Sequence, residues 1–157
     1  LIPSKGAKVT EISDQDIKEI WEMRKILEPY AGRSAAKMDL KREIHKLKYE
    51  LELIMKGEYT LDDYIQVDSD IHLLLFDRIE NTLLKKTIMR IHNLSLRMRY
   101  IAENFGKSNK EVVLQVCTEH LDILNALQLQ DADLTEKTVF KHLGNGELRT
   151  LISTKKP

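Results

Sequence analysis

A single cysteine, Cys117, is all the chain carries, so no internal disulfide can form and neither a thiolate-rich zinc site nor a Cys-x-x-Cys redox pair is available. Charge of one sign is equally scarce in excess. Lys plus Arg equals Asp plus Glu at 25 each, which leaves no overall positive field to attract phosphate backbones or acidic membranes. No apolar run approaches the roughly 20 residues a membrane-spanning helix needs, and no charged-then-apolar leader opens the chain. The expected setting is the cytoplasm. There is no His-Glu-x-x-His, no repeated Glu-x-x-His, no phosphate-cradling glycine loop and no Gly-x-Ser-x-Gly elbow. Metalloprotease, di-iron, nucleotide-binding and serine-hydrolase chemistry all lose their usual signatures. The chain opens at Leu1 without an initiator Met and reads as a fragment of something longer.

What is present is enough for one folded domain: 157 residues, 42% of them hydrophobic. Residues 1–12, with Pro3, Gly6 and an alternating Lys8-Val9-Thr10-Glu11-Ile12, read as an extended arm or linker. Helical periodicity then takes over almost throughout and predicts an all-α antiparallel bundle of six to seven helices. Ser13 with Asp16 forms a capping box for the first helix, whose apolar face is Ile17, Ile20, Arg24, Leu27 and Ala31. Pro29 should interrupt or kink it near Lys25.

The second helix is expected from about Leu40 to Met55, capped by Asp39 and ended by Gly57. Thr60 caps a third reaching about Glu80, and Asn81 caps a fourth with seam Leu84, Ile88, Ile91, Ser95, Met98 and Ala102, closed by Gly106. Ser108 and Glu111 look like a capping box for the fifth helix, whose stripe is Val113, Val116, Cys117, His120, Leu124 and Leu127. Asp131 caps the sixth, with Val139, His142 and Leu143 on one face, and Gly144-Asn145-Gly146 should stop it. A short helix and a charged tail complete the expectation.

Four polar residues interrupt these aliphatic stripes: Asp68 and His72 on the third helix, His120 on the fifth and His142 on the sixth. Side chains at i and i+4 stand one above the other, so Asp68 and His72 can close on one ion from the same side. A buried carboxylate requires a compensating cation. Three imidazoles and one carboxylate suit zinc, nickel, iron or manganese better than calcium or copper(I), and the pattern does not choose among the four. It also leaves open that each histidine is a separately hydrogen-bonded core residue, because a lone histidine on an apolar face usually is. Arg24 reads by pattern as the partner of Glu28 one turn later. His45 and His92 fall beside the seams and read as surface or boundary residues.

The ordered set Arg24-x-x-x-Glu28-Pro29, Asp68-x-x-x-His72, Asn81, Glu119-His120, Asp131 and His142-Leu143 resembles the FCD domain. This is the C-terminal, effector-binding half of bacterial transcription regulators of the GntR family, FadR subfamily. The likeness runs from about Ser13 to Leu143 and includes the equal steps from His120 to Asp131 and from Asp131 to His142. It implies a metal-binding, ligand-sensing domain over residues 13–157, with Asp68, His72, His120 and His142 as ligands of a divalent transition metal, zinc foremost. It further implies a small organic acid held by Arg24, a homodimer, no enzymatic activity, and DNA contact only through an absent N-terminal winged helix-turn-helix. Pro3 to Val9 looks like the end of that wing. One departure is Ile71, where the family often has phenylalanine. Two rival classes remain: a metal-dependent enzyme on a helical bundle, and a helical interaction module without metal.

Overall fold

The computed structural model describes residues 12–105 and 109–154, with side chains given for 12–99 and 109–152. Six helices account for nearly all of them: α1 (Asp14–Ala35), α2 (Lys41–Lys56), α3 (Leu61–Phe76), α4 (Thr82–Phe105), α5 (Lys110–Gln128) and α6 (Ala132–Thr154). No strand occurs among the described residues. None of these helices is long and apolar enough to cross a membrane. The arm expected over residues 1–12 lies, but for Ile12, outside the described residues, as do Gly106 and Ser108.

Local chemistry sets most helix starts. Ser13 and Asp16 exchange the two bonds of a capping box at α1, and Thr60 and Asp63 do the same at α3. Asn81 and Asp131 each accept the backbone N–H three residues on, from Leu84 and Leu134. Asn109 caps α5 through the Glu111 N–H. At α2 the cap residue is Leu40, without a side-chain bond, and Asp39 reaches only the Lys41 N–H at 3.4 Å. Gly57 closes α2 in the left-handed conformation, φ 86°, where a Cβ would be strained. α3 ends at Phe76, a turn earlier than the seam suggested.

α3 is the centre of the bundle. Ten of its 16 residues are buried, because α1, α2, α4 and α5 all pack on it. α1 lies antiparallel along α6: Trp21 meets Gly146, Lys25 pairs with Glu147, and Arg33 pairs with Asp133 and Glu136. Pro29 does not interrupt α1, which continues to Ala35. Proline removes one backbone hydrogen bond, but Ala31, Gly32 and Ala35 beyond it are buried, and that packing holds the last turns helical.

Gly144-Asn145-Gly146 likewise fails to end α6. The helix runs through both glycines to Thr154 because tertiary contacts override their low propensity. A Cβ at Gly146 would lie 2.5 Å from Cη2 of the buried Trp21, so the absent side chain is what lets α1 approach, whereas a Cβ at Gly144 meets nothing within 4 Å. The two glycines should therefore answer alanine with opposite signs. Urea denaturation of Gly144→Ala is expected to show a gain of up to about 1 kcal/mol from helix propensity, and Gly146→Ala a loss of about 1–3 kcal/mol from overpacking. Equal effects at both positions would contradict this packing.

Candidate metal centre

The i, i+4 spacing on α3 stacks Asp68 and His72 toward the interior, α5 brings His120 from one side, and α6 brings His142. All four are buried, and one potential ligand atom from each lies within 4.8 Å of the others. Nε2 of His120 stands 3.4 Å from Asp68 Oδ1, and Nε2 of His72 stands 4.0 Å from Asp68 Oδ2. Neither Asp68 Oδ1 nor His120 Nε2 has a hydrogen-bond partner. A buried carboxylate oxygen and imidazole nitrogen that face each other without a hydrogen bond are costly unless a partner between them satisfies both. A divalent cation satisfies both. With metal–ligand bonds of about 2.0–2.2 Å, tetrahedral ligand atoms stand roughly 3.3–3.6 Å apart, so Asp68 Oδ1 and His120 Nε2 are already at that spacing and the wider pairs would have to close up. A cavity of about 410 Å³ between α2, α3 and α4 is lined by none of the four.

Around the cluster lies a ring of charged groups that the seams alone do not reveal. Glu119 accepts from His142 Nδ1 at 2.8 Å, from Asn145 at 2.7 Å, and from both terminal nitrogens of Arg149 at 2.8 Å. This fixes His142 with its proton on Nδ1 and turns Nε2 toward the cluster, the usual arrangement behind a metal-bound imidazole. Glu28 Oε2 lies 2.8 Å from His72 Nδ1, an ion-pair approach without hydrogen-bond alignment, and Glu28 Oε1 takes Arg24 Nε at 2.6 Å. The pairing of Arg24 with Glu28 is thus as the spacing predicts. Arg24, 1% exposed, also sets Nη2 3.2 Å from His72 Nε2 and leaves Nη1 buried with no partner. Arg99 pairs with Asp68 Oδ2.

The apolar stripes do not mark Glu119, Arg149 or Arg99 as site residues, and they put His92 at the surface or boundary, where it is not. His92 is buried, 3.0 Å from the Ser69 hydroxyl and with its ring edge-on to Phe76, because α4 packs against both α1 and α3 and buries more than one stripe. A signal for Glu119 existed in its place beside His120. Arg149 could be reached only by continuing α6 through its glycines.

The FCD domain family matches residues 19–145, a span holding Arg24 and all four cluster residues. The chain belongs to the FCD domain family. Two curated relatives are similar to it: the HTH-type transcriptional repressor RspR of Escherichia coli (strain K12), 29% identical over 143 residues, and the HTH-type transcriptional regulator LutR of Bacillus subtilis (strain 168), 28% identical over 134 residues. The matches cover 90% and 85% of this chain, which spans 61% of the length of each relative. Among solved structures, E. coli McbR/YncC superposes with a TM-score of 0.79 at 17% identity, covering 99% of this chain and 73% of that one, which shows the shared fold.

Electrostatics in this FCD domain keep His120 and His142 in the form that can bind metal. Burial pulls the His142 pKa down to about 4 against the opposing pull of Glu119, and His120 falls well below its ordinary value through burial and the neighbouring His142, His72, Arg99 and Arg149. Burial also takes His92 down to about 4. Glu119 goes to about 2: burial opposes its charge, but Arg149, His142 and Asn145 outweigh it. Glu28 is likewise held below the usual carboxylate range, with Arg24 and His72 overcoming burial.

These shifts fix the sign of a pH effect. Between about pH 6.5 and 4 the unfolded chain binds protons at His92 and His142 that the folded chain refuses, so stability is full above that window and falls as acid is added through it. Protons also compete with metal for the imidazoles, so metal affinity should decline in the same direction. Urea midpoints of chelator-treated protein across this range test the first claim; a midpoint that stays flat down to about pH 4.5 would contradict neutral buried histidines.

Proposed function

We propose that this FCD domain is the effector-sensing and dimerising part of a bacterial GntR-type transcription regulator. On this reading residues 13–157 form the sensing domain, and residues 1–12 are linker and wing remnant of a winged helix-turn-helix that makes the DNA contacts. Asp68, His72, His120 and His142 hold a divalent transition metal, zinc foremost, and Arg24 binds a small organic acid beside it. The protein works in the cytoplasm as a homodimer and catalyses nothing.

The observation that carries the effector reading is Arg24. A guanidinium buried to 1% exposure, with Nη1 unpartnered and Nη2 3.2 Å from a cluster imidazole, is a desolvated donor with room for one more charge-assisted bond next to the metal position. Bound metal would supply a Lewis-acidic centre with positions left for an acid oxygen. The chain's own groups do the rest. Glu28 orients Arg24, Glu119 orients His142, and the surrounding apolar core excludes water.

Arg24 and Glu28 lie on α1, the first helix after the linker, so a shift of α1 on effector binding is delivered to the chain segment leading to DNA. Such a shift requires different effector affinities in two arrangements of the domain.

Calorimetric titration of metal-loaded protein with organic acids, followed by product analysis, tests the proposal. Saturable binding without turnover is expected. Product formation, or no binding by any acid, would refute it.

A further inference from the structure

Among the described side chains, the charges in contact with the cluster close to zero before any metal enters. Asp68, Glu28 and Glu119 contribute three negative charges, and each is in contact with one guanidinium: Arg99, Arg24 and Arg149 respectively. A further ion pair between α1 and α6, Lys25 with Glu147, is neutral in itself. A histidine that ligates a metal does so uncharged. Among the described side chains of this shell, no carboxylate is left over to balance an added cation.

A divalent ion therefore brings two positive charges that the protein does not answer. Asp68 offers it Oδ1, which is unpartnered, while Oδ2 stays on Arg99, so the carboxylate is shared and its charge is already spoken for. Leaving such an excess in a buried, low-dielectric site is unfavourable. Resting on the sensor reading above, we infer that the effector is a dianion, such as a small dicarboxylate, whose two negative charges neutralise the metal-loaded site. A monoanion leaves one positive charge unbalanced. Arg24 Nη1 is the open donor that meets one of the two anionic groups.

The test compares ligands of like size and different charge on metal-loaded protein at about pH 7.5, where aliphatic carboxylic acids are fully ionised. Succinate and malate are the dianions, acetate and lactate the monoanions, and binding is read as thermal shift and by calorimetry. Dianions are expected to bind about tenfold tighter or better, and only weakly to chelator-treated protein. Inorganic phosphate, run alongside, separates recognition of doubled charge alone from recognition of two spaced carboxylates, and tight binding by either supports the charge requirement.

Arg99→Gln lowers the loaded site to a single positive charge, so with metal supplied in excess and full loading checked by elemental analysis, the preference for dianions should shrink by about tenfold. Monoanions binding within about twofold of dianions would overturn this inference and leave acid sensing standing. Equal dianion affinity with and without metal would overturn it as well. Failure of every acid to bind loaded protein would remove the sensor reading and this inference together.

Discussion

Alanine in place of His120 is expected to abolish most metal binding and nearly all metal-induced stabilisation, while changing the metal-free protein far less. His120 Nε2 has no hydrogen-bond partner and faces Asp68 Oδ1 at 3.4 Å, so in the metal-free fold the imidazole contributes packing and a desolvation penalty that partly offset each other. With metal bound the same nitrogen becomes a ligand. Loss of an outer partner such as Glu119 typically lowers metal affinity about 10–100-fold, and loss of a ligand should exceed that. At a metal concentration of about 1,000 times the Kd, the parent protein gains about 4 kcal/mol from binding, and the variant should lose nearly all of it. The comparison is made by thermal unfolding with and without added zinc. An unchanged metal-induced shift in His120→Ala would refute the site.

The second large effect concerns the pair behind His72. Glu28→Ala leaves the Arg24 guanidinium buried at 1% exposure with its carboxylate gone, and breaking a buried ion pair in this way is expected to destabilise the protein by about 3–5 kcal/mol. Arg24 also stacks over the Trp21 ring, at 4.8 Å from its centroid, so it cannot leave for water without disturbing the α1–α6 contact at Gly146. Removing both charges with apolar residues of similar volume, Arg24→Met with Glu28→Leu, should recover most of that loss, because the desolvation penalty disappears with the charges. Chemical denaturation of chelator-treated single and double variants decides it. A loss under about 1 kcal/mol for Glu28→Ala would mean that Arg24 is solvated or otherwise compensated.

Much of this could be read from the sequence where the governing physics is local. Helical periodicity placed Asp68, His72, His120 and His142 on inward stripes, and short-range capping chemistry marked the starts at Ser13, Thr60, Asn81 and Asp131. The Arg24–Glu28 pair followed from one helical turn. What stayed hidden depends on contacts between distant segments. Gly144-Asn145-Gly146 carries every local mark of a helix end, and the helix continues because of distant partners: Trp21 against Gly146, Lys25 on Glu147, and Glu119 on Asn145 and Arg149. A helix that ends there does not carry Arg149 to Glu119. His92 was misplaced for a related reason: a one-stripe reading of α4 fits a helix with a single buried face, and this helix has partners on two sides.

Elemental analysis of the protein purified without a histidine tag tests the central claim most directly. The account predicts about one divalent transition-metal ion per chain, removable by chelator and restored by zinc, nickel, iron or manganese together with the thermal stability. Metal-free protein whose melting temperature responds to none of these ions would contradict it.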